Sequence, residues 1–154
     1  MEEKLINKNY GDKFNDHLLE QYKIFVESVN NISSKRDSAN YFYLTINSTL
    51  FTIISYLSSL EINIVMSALL PIIGILISFS WIKIINSYKN LSEGKFKVIH
   101  ELENYLPASL FKYEWHILIN KVKYHPITNT EKTIPKIFIL FYILLFIFII
   151  IYKF

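Results

Sequence analysis

The sequence predicts an all-α integral membrane protein with three transmembrane helices and a cytosolic amphipathic helical collar. Three observations carry that expectation. Of the 154 residues 52% are hydrophobic, with only three glycines, four prolines and no cysteine, and the mean hydropathy is +0.29, which is too apolar for a small soluble fold. Charge is unevenly placed: it crowds into residues 1–37 and 83–136, while 41–60 and 62–82 carry none. Outside the uncharged runs, apolar residues recur at three- and four-residue steps, the helical period, rather than alternating. The absence of cysteine excludes disulfides, Cys-ligated zinc and a thiol nucleophile together.

Residues 1–40 are expected to form a cytosolic N-terminal helix. The opening "MEEKLINKNYGDK" is polar and lacks the apolar core of a cleavable signal, so the first span must direct its own insertion. Phe14, Leu18, Tyr22, Phe25, Val29 and Ile32 then mark one face of a helix. That stripe needs a partner, either the middle segment of the same chain or another subunit in a short coiled coil.

A bilayer core about 30 Å thick takes roughly 20 predominantly apolar helical residues. The segment 41–60, "YFYLTINSTLFTIISYLSSL", is transmembrane helix 1; 61–85 supplies an external turn around Glu61 and transmembrane helix 2; 134–154 is transmembrane helix 3. The uncharged run of the third, Ile137 to Tyr152, is slightly short, so Lys136 and Lys153 are expected to snorkel toward opposite headgroup layers. Basic residues crowd on one side of the spans, at Lys35, Arg36, Lys83, Lys89, Lys132 and Lys136, with none near Glu61. The N-terminus and the middle segment are therefore expected in the cytoplasm and the C-terminus outside.

The middle segment, 86–133, is expected to hold two amphipathic helices. Phe96, Ile99, Leu102 and Leu106 share a face after a possible start at Ser92, and Pro107 stops that helix. A second begins near Ser109 and carries Leu110, Tyr113 or Glu114, Ile117 and Lys121 on successive turns. Phe111, Tyr113 and Trp115 either lie at the headgroup layer or fill a small cytosolic core. Lys95, Lys97, Glu101 and Glu103 are expected on faces where a neighbour's charges can reach, so Lys95, Phe96, Ile99, Glu101, Leu102, Glu103 and Trp115 make up the collar.

Several stretches in order, "RDSANYFYLTIN", "SWIKIINSYKNLSEGKFKVIHELENYLP", "FKYEW" and the terminal apolar span, resemble the RipA-type family of small octameric bacterial inner-membrane proteins. The resemblance covers roughly residues 34–154 and includes Arg36, Asp37, Asn40, Asn47, Trp81, Lys95, Glu103, Pro107 and Trp115. It implies an octameric ring in the bacterial inner membrane and, for some relatives, a part in defence or host interaction. Two departures are Gly94, where a helix former is expected, and a short connector "KYHPITNTEKTIP".

The spans have features that suit a ring. Thr45, Ser48, Thr52, Ser55 and Ser59, with Thr49 and Tyr56, make a polar stripe on the first, and Asn47 sits beside it. Such a stripe suggests a helix interface or a wet lumen. Ser67, Pro71, Gly74 and Ser78 make a small-residue seam on the second, with Pro71 expected to kink it. The third is nearly uniform Ile, Leu and Phe and suits a lipid-facing outer position. The expected order is first span inner, second intermediate, third outer.

Chemistry has little to stand on. His100, Glu101 and Glu103 fall within one turn but offer a single ligand pair, and His17, His116 and His125 complete no metal-binding spacing. There is no phosphate-cradling glycine loop, so neither enzyme activity, cofactor nor metal is expected. With a net charge of +3 and Lys and Glu interspersed, nucleic acid is not an expected partner. Two functions remain. One is a pore or permeability effector with a hydroxyl-lined path; the alternative is a non-conducting, membrane-anchored scaffold for a cytosolic protein partner. In both, the partners are other copies of the chain and the lipid bilayer.

Overall fold

The structure is a computed structural model that describes residues 5–7, 10–58 and 64–153. Among these residues it is all-helical. Helix α1 spans Phe14–Ser58, α2 Ile64–Leu102, α3 Leu110–Ile117, α4 Thr128–Glu131 and α5 Thr133–Lys153. A 3-10 turn, Glu103–Tyr105, follows α2, and a π-helical turn, Leu118–Val122, prolongs α3. The external turn from Leu60 to Asn63, together with Ser59, lies outside the described residues, and so does the Lys153 side chain.

Two expected boundaries are absent. The N-terminal helix and the first apolar segment are one 45-residue helix, because the linking "SSKRDSAN" contains neither Gly nor Pro and each residue tolerates helical φ and ψ. The expected restart at Ser92 is absent too: α2 continues for 39 residues, through Pro71 and through Gly94. Gly94 faces open space, so it costs the helix about 1 kcal/mol in propensity but disturbs no packing. The stop at Pro107 holds. Leu106, the residue before it, turns to extended backbone with φ −107° and ψ 159°, as the proline ring requires of its predecessor.

Among the described residues, two helices are long and apolar enough to cross a membrane, within Ser67–Tyr105 and within Thr128–Ile151. The C-terminal part of α1, expected as the first span, falls short of them because its hydroxyls and Asn47 dilute the apolar residues.

The chain divides into two compact units, residues 1–32 with 92–124 and residues 33–91 with 125–154. In the first, Leu18, Val29 and Ile32 from α1 are buried, as are Ile99 and Leu102 from α2. Lys95 Nζ donates to Ser28 Oγ at 2.7 Å and lies 4.6 Å from the centre of the Phe25 ring. The predicted stripe on α1 therefore finds its cover in the chain's own middle segment.

In the second unit Ile54, Trp81, Ile85 and Tyr142 are buried. Trp81 stacks on Tyr43 at 5.9 Å between ring centres, and Phe51 meets Phe141 edge-on at 4.9 Å. Helix α5 is thus not uniformly outward. Ile137, Leu140, Leu144, Phe148 and Ile151 are exposed, but Tyr142 is fully buried.

Candidate functional site

Within the second unit, the polar atoms of the apolar helices converge on Asn47. Its Nδ2 donates to the Tyr43 carbonyl at 2.8 Å, its Oδ1 accepts from Ser78 Oγ at 3.0 Å, and its own carbonyl accepts from the Tyr142 hydroxyl at 3.1 Å. Asn47 and Ser78 are both fully buried. The last two bonds join α1 to α2 and to α5. In an apolar surrounding an unpaired amide or hydroxyl costs several kcal/mol, on the order of 2–7, so these pairs fix which faces of the three helices meet.

Asn47, expected at a helix interface or a wet lumen, closes a contact between helices inside one chain. The small-residue seam has the same fate. Pro71, Gly74 and Ser78 are buried, Ser67 is half-buried, and a Cβ added to Gly74 would stand 2.5 Å from Tyr142 Cε2. Gly74 is the gap that admits the Tyr142 ring.

A second polar cluster of the same unit gathers residues from α1, α2 and α4. Arg36 forms an ion pair with Glu131 and donates to Thr128 Oγ1 at 2.8 Å. Asn40 Nδ2 reaches Glu131 Oε1 at 3.3 Å, and the Trp81 indole donates to Asn40 Oδ1 at 2.8 Å. A shallow cavity of about 220 Å³ beside it is lined by Asp37, Asn40, Tyr41, Leu44, Trp81, Glu131 and Ile134. Arg36, Asn40 and Trp81 stood in the family-like stretches, but their partners Thr128 and Glu131 did not. The pairing is long-range and has no local signal.

The first unit has its own polar centre, Glu103. Its carboxylate accepts from the backbone N–H of Phe111 at 2.8 Å and of Lys112 at 3.0 Å. These are first-turn amides of α3, which lack helical partners. The Tyr22 hydroxyl donates to the same carboxylate at 3.2 Å. Glu103 is therefore buried, not offered to a neighbour as expected, and it performs the capping anticipated for Ser109, whose hydroxyl instead donates to the Glu103 carbonyl at 3.4 Å. Lys95 is likewise engaged within the chain, whereas Lys97 and Glu101 are exposed. Phe96 is half-buried and meets Phe111 edge-on at 5.9 Å. Trp115, expected at the headgroup layer or in a small cytosolic core, is 47% exposed.

Burial first, then the charge of Glu103 and its hydrogen bond, push the Tyr22 hydroxyl up from 10.0 to about 12. The folded unit thus favours the protonated phenol. Its contribution is fully present below pH 10 and is lost as pH rises through 10 toward 12. Replacing Tyr22 by Phe should remove that share of the alkaline loss, visible as a smaller fall in melting temperature of the purified protein between pH 9.5 and 11.5 (about the range between the two pKa values). Equal losses in parent and variant would disconnect Tyr22 from the alkaline response.

What the chain leaves uncovered is as informative as what it pairs. Thr45, Ser48, Thr52 and Ser55 are all exposed, lying roughly 80–160° around α1 from the buried Asn47 at about 100° per residue. Thr52 Oγ1 donates to the Ser48 carbonyl at 3.0 Å, a local bond that leaves the hydroxyl oxygen free to accept another.

Two apolar helices of membrane-crossing length, with Ser78 of one and Tyr142 of the other bonded to Asn47 of α1, point to a helical membrane protein. Residues 19–151 match the octameric membrane protein family (8xMP), and the chain belongs to that family. Membership carries self-association with it. No curated protein and no solved structure shows significant similarity to the chain.

Proposed function

We propose that the chain is the subunit of a homo-octameric pore or permeability effector of the bacterial inner membrane. In this reading α1 crosses the bilayer as the first of three spans, with the N-terminus and the Glu103 unit in the cytoplasm and the C-terminus outside. The flanking Lys35, Arg36, Lys83, Lys89, Lys132 and Lys136 support that orientation. No catalytic step is assigned to it.

One observation carries the reading. Asn47 of α1 and Ser78 of α2 are buried and bonded to each other inside the chain, while the hydroxyl row Thr45, Ser48, Thr52, Ser55 lies exposed on its surface. A row of four on one face has little reason to be selected against lipid, and in a ring of eight it would face water or the next subunit. Hydroxyls without a ring of charge suit a path of low ionic selectivity.

The natural absence of cysteine makes the test direct. Single Cys replacements at Ser48, Thr52 and Ser55 should react with a membrane-impermeant thiol reagent in the assembled octamer, and the reaction should reduce solute or ion flux through reconstituted vesicles. An intact octamer that passes nothing, with all three positions unreactive, would overturn the pore and favour the non-conducting scaffold for a cytosolic partner.

A further inference from the structure

Among the side chains that the first unit leaves exposed, Leu110 and Tyr113 included, one row combines apolar residues with lysines. Lys112, Trp115 and Ile119 follow one another at steps of three and four residues along α3 and into its π-helical extension, which ends in Val122 and the left-handed Lys123, φ 52°. That spacing puts Lys112, Trp115 and Ile119 on one side of the helix, with Val122 and Lys123 at its end. Trp115 is 47%, Ile119 50% and Val122 60% exposed, and both lysines are exposed. The inner side of the same helix is occupied: Phe111, Ile117 and Leu118 are half-buried, and Glu103 holds the first amides.

We propose that this row is a docking surface for an anionic phospholipid membrane, with Trp115 and Ile119 at the headgroup boundary and Lys112 and Lys123 on lipid phosphates. Tryptophan prefers that layer because its ring is apolar and its N–H polar. Lysine stems lie along apolar surface while their ammonium groups reach outward to phosphate. Residues 110–124 contain three lysines and one acid, Glu114, which is not in the row. A second copy of the chain is the poorer occupant, because lysine is depleted at protein interfaces and here edges the apolar residues on both ends. The membrane is within reach by chain length alone. Helix α5, apolar enough to cross it, begins at Thr133, and the linker from Lys123 extends at most about 3.3–3.6 Å per residue.

The test uses the full-length protein in vesicles of phosphatidylcholine alone or with phosphatidylglycerol. Trp115 is isolated by subtracting the emission of W115F, which removes Trp115 and leaves Trp81. The Trp115 component should be blue-shifted and quenched by lipids brominated close to the headgroup, more strongly with phosphatidylglycerol present. K112Q and K123Q should each lower the ratio of docked to undocked segment about fivefold. A nitroxide on I119C, in an otherwise cysteine-free chain, should show collisions with a lipid-soluble relaxant, independently of any tryptophan variant. Water-like emission in both lipids would overturn the proposal. So would blue-shifted emission without bromolipid quenching, the signature of a protein surface, such as a second copy, seated on the row.

Discussion

Replacing Gly74 by leucine is expected to lower the stability of the folded subunit by about 2–4 kcal/mol, combining overpacking with a lost interhelical hydrogen bond. A Cβ at this position would meet Tyr142 Cε2 and Cζ at 2.5 Å, closer than real carbon contacts come. The ring has little room to retreat, since Tyr142 is fully buried and its hydroxyl is bonded to the Asn47 carbonyl. Either the ring leaves, abandoning that bond, or α2 and α5 separate locally. Denaturation of the purified protein in micelles measures the loss, and adding Y142A to G74L should recover part of it by restoring volume. Because the contact lies inside one chain, native mass spectrometry should still find an octamer in the fraction that folds. Parent-like stability would show that Tyr142 does not occupy the gap. Stable but dissociated subunits would instead place Gly74 at the subunit interface.

The second large effect is expected at Glu103. Truncation to alanine leaves two backbone amides and the Tyr22 hydroxyl without their acceptor in a buried site, and loss of such a cap together with unsatisfied donors amounts to about 2–4 kcal/mol. The damage should be local. Hydrogen exchange should accelerate first over residues 106–122, and limited proteolysis should cut there, while α5 remains protected. Glutamine, which keeps one acceptor oxygen, should fall between parent and alanine. Glu101→Ala, two residues away and exposed, should change stability by no more than about 0.5 kcal/mol. Equal responses at Glu101 and Glu103 would mean that the carboxylate does not cap α3.

These two residues show how far the sequence could be read. Period and charge were sufficient for the helices, for the α1 stripe and for the stop at Pro107, because each rests on residues within a few turns of one another. Continuity was harder to see. Ser92 has the chemistry of a cap, but nothing before it interrupts α2, so cap chemistry alone did not make a helix start. The roles of polar residues were the least legible. Glu103 and Glu101 look alike in sequence, and Asn47 looks like its hydroxyl neighbours; which of each pair turns inward depends on partners 31 to 95 positions away in the case of Asn47. Tyr142 was hidden in an otherwise uniform apolar run. A hydroxylated ring in the middle of that run, opposite the lone glycine of α2's apolar stretch, is the signal that could have revealed the contact.

The Asn47 cluster also bears on how the protein is made. In the three-span arrangement proposed here, α1 is the least apolar of the membrane segments and carries an amide that is expensive to leave unpaired in lipid. On leaving the translocon alone, it would be a poor candidate to partition sideways into the bilayer. Its Oδ1 gains a donor only when Ser78 of α2 has emerged, so the two segments are best released together, as a pair. The Tyr142 hydroxyl reaches Asn47 only after 95 further residues have been synthesised. The contact that ties all three helices would then form last among them, and α5 would serve as the latch on an insertion already half complete.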